Sequence, residues 1–138
     1  MFKVVKRLHF CYGHRLLEYE GRCSHPHGHN AEVEIEVESA ELDPRGMLFD
    51  FGDIAEALSS FIDNHLDHRM ILRRDDPLAE ALLSLGEPVH LMAVNPTAEN
   101  IARLLYEEGR RRGLPIAAVR LWETPRAYAE YRPAAGEA

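Results

Sequence analysis

His27-Gly28-His29-Asn30-Ala31-Glu32-Val33-Glu34-Ile35-Glu36-Val37-Glu38-Ser39 is the stretch that decides the fold. From Ala31 onward, apolar residues (Ala31, Val33, Ile35, Val37) alternate with acidic ones (Glu32, Glu34, Glu36, Glu38). Successive strand side chains point to opposite faces, so residues 31–39 are predicted as a strand with one apolar, core-facing side and one carboxylate-bearing side. The carboxylates are either plain surface or the lining of a channel within an assembly. If the strand begins at His27, both imidazoles take the parity of Ala31 and lie on the apolar face. Gly28, between them, permits close approach of another backbone or of a ligand.

Upstream, Phe2, Val4, Leu8 and Phe10 share one parity, with Lys6 the exception, which predicts a strand over 2–10. Downstream, Asp43-Pro44-Arg45-Gly46 is a turn and Met47–Phe51 a short strand. Asp50 then caps a helix with Asp53 three residues on, and Ile54, Leu58, Phe61, Ile62 and His65 follow at helical spacing. Asp76-Pro77 opens a shorter helix that Gly86 closes. Residues 73–88 as a whole read as an enlarged connection. Val89–Val94 is a strand. Thr97 caps a helix with the stripe Ile101, Leu104, Leu105, which ends at Arg110, Arg111, Arg112 and Gly113. Strands over 116–124 and Ala127–Tyr131 flank a turn at Pro125-Arg126, and Pro133–Ala138 is a loose tail. This order predicts one α+β domain over residues 1–138 with a mainly antiparallel sheet.

Composition narrows the function. The 138 residues are 46% hydrophobic, enough for a core, and 16 basic against 23 acidic residues give a net charge of −7. That balance speaks against a nucleic-acid partner, which needs clustered cations. No apolar run approaches about 18 residues, so no membrane span is expected, and Met1–Phe10 does not read as a secretory signal. Two cysteines make no disulfide framework, which places the chain in a reducing cytoplasm.

Eight histidines stand out, three of them between Ser24 and Asn30. Two imidazoles on one buried face, as at His27 and His29, suit zinc, which in catalytic sites takes three protein ligands and leaves a position open. His14 keeps the parity of Phe10, so an adjacent antiparallel strand brings it to the pair. His9 has the opposite parity, and His25, His65 and His90 read as ordinary histidines. Cys23, in Gly-Arg-Cys-Ser-His-Pro, has a nearby positive charge that favours thiolate, and reads as a fourth ligand, a nucleophile or a base. Asp67-His68 is either a carboxylate orienting an imidazole or an exposed helix end. Glu123 shares the face of Val119 and Leu121. A carboxylate buried there either anchors a ligand's paired N–H edge or joins a salt bridge.

Taken together, Phe10-x-x-x-His14, Cys23-x-x-x-His27-Gly28-His29, Leu66-Asp67-His68, Pro96-Thr97-Ala98-Glu99-Asn100 and Trp122-Glu123-Thr124 resemble the 6-pyruvoyl-tetrahydropterin synthase and 6-carboxy-tetrahydropterin synthase family over nearly the whole chain. The resemblance implies the tunnelling fold, a four-stranded antiparallel sheet with two main helices on one face. It implies a homo-oligomeric ring, commonly a hexamer built as a dimer of trimers, with active sites between subunits. It implies His14, His27 and His29 as ligands of Zn2+, Cys23 as general base activated by Asp67 and His68, and Glu123 as pterin anchor with Thr97 beside it. The implied substrate is the pterin triphosphate 7,8-dihydroneopterin triphosphate. The implied product is 6-carboxy-tetrahydropterin, with 6-pyruvoyl-tetrahydropterin as the alternative and a non-catalytic pterin- or zinc-binding module as a third reading. The chain departs from the family's small residues before the first zinc histidine, where it has Cys11-Tyr12-Gly13, and has Ile71-Leu72 where the family has Leu-Asn.

Overall fold

A computed structural model describes residues 1–137. Its spine is a six-stranded sheet. Strands β1 (Phe2–His14) and β2 (His27–Ser39) are antiparallel and in unbroken register, from Phe2 opposite Ser39 to His14 opposite His27. Both begin or end beyond the expected limits because the alternation persists. Tyr12 and His14 are buried like Phe10, and His27 and His29 keep the parity of Ala31. β5 (Ile116–Thr124) pairs antiparallel with β2, and β6 (Ala127–Tyr131) with β5. These are the four antiparallel strands expected.

The sheet nevertheless has six strands, not four. Beyond β1 lie β3 (Arg69–Arg73) and β4 (Val89–Met92), both paired in parallel, which gives the order β4-β3-β1-β2-β5-β6. Parallel neighbours need a crossover. Here it is α2 (Pro77–Ser84), so residues 73–88 are a structured connection with Asp76 capping the Leu78 amide.

The expected strand at Met47–Phe51 is absent. The Asp43 amide donates to the Met47 carbonyl, and Asp43 Oδ1 accepts from the Arg45 and Met47 amides. Asp50 meanwhile caps α1 (Phe51–Phe61) by accepting from the Gly52 amide. Turn and cap together consume the backbone groups a ladder would need.

α1 and α3 (Ala98–Arg111) close one face of the sheet. Ile54, Leu58 and Phe61 of α1 and Ile101, Ala102 and Leu105 of α3 meet Val33, Ile35, Val37, Val119 and Leu121 in one core. Each large aliphatic buried there contributes about 1.5–3 kcal/mol. No helix among the described residues is long and apolar enough to cross a membrane.

The opposite face of β2 is not a row of free carboxylates. Glu36 is fully buried and paired with Lys3, Arg120 and Arg132, while Glu34 takes Arg7, Arg120 and the Trp122 indole N–H. Burial alone would raise the Glu36 carboxyl, but hydrogen bonds from Arg120, Lys3 and Arg132 outweigh it and hold the pKa down to about 2.

Candidate active site

The β1–β2 register sets His14 opposite His27 and Tyr12 opposite His29, all on the helix-covered face. One candidate ligand nitrogen from each of His14, His27 and His29 lies within 4.8 Å of the others. His14 Nε2 and His29 Nε2 are 3.2 Å apart. Two ligands held at about 2.0–2.1 Å by a tetrahedral ion would stand about 3.3 Å apart, so the pair fits. His14 Nδ1 lies 2.7 Å from the Pro96 carbonyl and His27 Nδ1 2.7 Å from the His25 carbonyl. Nδ1–H then donates to the backbone, and each Nε2 keeps its lone pair for a metal. Burial lowers the His14 pKa, against the Pro96 carbonyl and Glu123 acting the other way, and so favours the neutral ligand form. The residues present therefore suit a metal ion. Gly28 meets a backbone, as its lack of side chain allowed: a Cβ there would stand 3.3 Å from the Tyr12 carbonyl oxygen.

Asp67 and His68 follow a widened π-turn, Ile62–Leu66, that ends α1. Asp67 Oδ2 lies 2.8 Å from His68 Nδ1, while Oδ1 accepts from the Cys11 amide at 2.9 Å. This fixes the proton on His68 Nδ1 and leaves Nε2 free as a base. His68 sits at φ +58°, a left-handed conformation costing a non-glycine residue about 1–2 kcal/mol. Its amide donates to the Cys11 carbonyl at 2.6 Å, which holds the residue there. Strain of this kind concentrates at functional sites. Burial would raise the Asp67 carboxyl, but the Cys11 amide and His68 hold it below the usual range.

Glu123 Oε2 lies 2.9 Å from His29 Nε2 and 3.9 Å from His14 Nε2, so the late-strand carboxylate does reach the triad. Thr97 accepts from the Asn100 amide as the cap of α3, one residue after the Pro96 carbonyl that holds His14. His68 shares a cavity of 690 Å³ with His27, His29, Tyr12, Cys11 and Asn30. Cys23 is not among the residues that line it and sits on a one-turn 3-10 helix, Arg22–Ser24, half-buried and with a free thiol. Among the described residues, no hydrogen bond joins Cys23 to Asp67 or His68. Two backbone acceptors, His25 and Pro96, escaped the sequence, since carbonyls leave no residue-type signal. The packing of Tyr12 against two of the triad imidazoles also escaped it. Its ring stands edge-on to His14 with centroids 5.1 Å apart and 5.7 Å from His29, and burial, then the nearby Glu123 charge, keeps its phenol protonated.

A family model described as 6-pyruvoyl tetrahydropterin synthase matches residues 3–134. This chain belongs to the 6-pyruvoyl tetrahydropterin synthase family. Among its curated relatives in the synthase family, a protein of Rickettsia conorii named 6-carboxy-5,6,7,8-tetrahydropterin synthase is 34% identical, covering 94% of this chain and 99% of its own. A protein of Haemophilus influenzae with the same name is 31% identical, covering 96% and 99%. Among solved structures, WS1659 of Wolinella succinogenes, described as uncharacterized, superposes with a TM-score of 0.84 at 30% identity, over 95% of this chain and 97% of that one. The 6-pyruvoyl tetrahydropterin synthase of Caenorhabditis elegans shares the synthase fold with a TM-score of 0.72 at 22% identity, over 96% of each chain.

Proposed function

We propose that this chain is a zinc-dependent lyase that converts 7,8-dihydroneopterin triphosphate to 6-carboxy-5,6,7,8-tetrahydropterin in the cytoplasm, toward deazapurine (queuosine) precursors. One water is consumed, and triphosphate and acetaldehyde leave. The observation that carries this is the triad of His14, His27 and His29, whose ligand nitrogens converge while backbone carbonyls hold Nδ1 of His14 and His27. The relatives named for the carboxy product support the choice of reaction.

His14, His27 and His29 hold the zinc. When bound, zinc acts as a Lewis acid on the substrate's side-chain oxygens. Glu123 accepts from the pterin's 2-amino and N3 groups and fixes the ring. Thr97 joins it in this reading, and its hydroxyl, already accepting from Asn100, retains a proton to donate. Cys23 takes a proton from the substrate side chain, and His68, oriented by Asp67, completes the relay that activates it. No hydrogen bond among the described residues joins Cys23 to the Asp67–His68 pair within one subunit, which supports a site completed between subunits. Among the described residues the outer edges of β4 and β6 are unpaired and available for strand addition, consistent with a hexamer of two trimers.

The family model's 6-pyruvoyl description favours a second reading, in which the same residues eliminate triphosphate without breaking a carbon–carbon bond. Purified protein incubated with 7,8-dihydroneopterin triphosphate, with and without chelator, decides by mass spectrometry. The expected outcome is metal-dependent acetaldehyde and 6-carboxy-tetrahydropterin. The pyruvoyl product moves the chain to the second reading, and no metal-dependent product removes both and leaves a binding module.

A further inference from the structure

Among the described residues, the Tyr12 hydroxyl is the one buried side-chain polar atom without a hydrogen-bond partner. Tyr12 is 3% exposed. Leaving such a group unpaired costs roughly 1–3 kcal/mol, and native folds rarely leave one without a reason. The reason lies in its neighbours. Tyr12 faces His29 across the strand pair, its ring packs edge-on against His14, and Glu123 is close enough for its charge and its carboxylate oxygens to act on the phenol, yet no hydrogen bond of ordinary geometry joins the two while Glu123 is held by His29.

Glu123 takes its hydrogen bond from elsewhere. Its Oε2 lies 2.9 Å from His29 Nε2, and that nitrogen also faces His14 Nε2 at 3.2 Å. One ring nitrogen presents either an N–H to a carboxylate or a lone pair to a cation, not both. A cation in the triad therefore takes from Glu123 the donor it has here. The carboxylate is only 23% exposed, so water replaces that donor poorly. Tyr12 supplies a donor with no acceptor of its own, in the same place.

We propose that Tyr12 is the positioning residue for Glu123: in the cation-loaded site its hydroxyl donates to the Glu123 carboxylate, turns it away from His29 and holds it with lone pairs free for a ligand's N–H edge. This rests on the proposed assignment of the triad to zinc and of Glu123 to the pterin. A carboxylate has lone pairs for a phenol and two ligand N–H groups together. The exchange satisfies both groups at once and couples loading of the triad to readiness of the anchor.

A double-mutant cycle tests this on the intact protein, with zinc alone as the first ligand. Wild type, Tyr12→Phe, Glu123→Ala and the double variant are titrated with zinc. Tyr12→Phe is expected to weaken zinc binding about tenfold when Glu123 is present and to change it little in the Glu123→Ala background. Equal effects in both backgrounds, or none in either, overturn the proposal while leaving the zinc assignment intact. Failure of the wild type to bind zinc overturns both. With pterin triphosphate as substrate, Tyr12→Phe is expected to raise KM about tenfold and change kcat less than about threefold. A loss in kcat alone is incompatible with a role in positioning the anchor. The metal-free Tyr12→Phe protein is expected to melt at or above the wild-type temperature, because the hydroxyl it loses makes no hydrogen bond of ordinary geometry there. A clear drop means that the hydroxyl is already paired, and the proposal falls.

Discussion

His14 and His29 present their Nε2 atoms to each other at 3.2 Å, and the Pro96 carbonyl fixes the other nitrogen of His14 at 2.7 Å. Two lone pairs held this close repel unless a proton or a cation lies between them, so the folded chain should bind a metal that its unfolded form does not. At free zinc one hundred times the dissociation constant, linkage gives about 2.7 kcal/mol of added stability. Thermal unfolding with zinc and with chelator reads this directly, and His27→Ala should abolish the difference. Identical melting curves in zinc and chelator for the wild type would remove the triad as a metal centre.

Among the described residues no hydrogen bond joins Cys23 to the Asp67–His68 pair, and His68 lines the 690 Å³ cavity whose lining does not include Cys23. If they cooperate between subunits, Cys23→Ala and His68→Ala each lose at least about a hundredfold in turnover and keep their zinc. Mixing the two inactive variants under conditions that exchange subunits should then restore part of the activity, because some interfaces carry both intact groups. No recovery from demonstrably mixed oligomers would place the two groups in one subunit or remove one from the mechanism.

Much of this site was legible because strand parity is rigid. His14 shares the parity of Phe10, and His27 and His29 that of Ala31, so an antiparallel pairing had only one face on which to bring them together. Glu123 followed in the same way from Leu121. β3 was illegible for the converse reason. Arg69-Met70-Ile71-Leu72-Arg73 has no alternation, since Ile71 and Leu72 are both fully buried, and its parallel partners are distant in sequence. Met47–Phe51 misled because a short apolar run carries no period, and the Asp43 turn and Asp50 cap settle it. The pairing of Glu34 and Glu36 was hidden because their cations come from β1, β5 and the residue after β6.

Asp76 joins two jobs. It caps α2 at the Leu78 amide and pairs, fully buried, with Arg15, the residue after His14, through an Nε contact of 2.8 Å. The Arg15 guanidinium, ahead of the opposing effect of burial, holds the Asp76 carboxyl below its usual range. Asp76→Ala strands the arginine and uncaps the helix, so a loss of about 3–5 kcal/mol is expected in denaturant unfolding. Asp76→Asn keeps a capping oxygen and should cost less, by about 1 kcal/mol. Equal losses in the two variants would mean that the cap contributes nothing measurable.

Glu36 should impose an acid limit on stability. Its carboxyl, ordinarily at 4.5, is held at about 2 in the fold, where burial opposes and Arg120, Lys3 and Arg132 prevail. A depressed carboxyl binds fewer protons folded than unfolded, so its contribution is complete above pH 4.5 and lost as the pH falls towards 2. The shift corresponds to on the order of 3 kcal/mol. Asp67, Asp76 and Glu108 are also depressed and add to the same acid limb, so the wild-type curve alone does not isolate Glu36. Glu36→Gln isolates it. That variant leaves three cations facing a neutral amide and should be less stable at neutral pH, yet lose less than wild type on acidification. Denaturant unfolding of both proteins from pH 7 to the acid end of their folded range measures the two slopes. Parallel slopes would show that the cations on this face do not depend on the Glu36 charge.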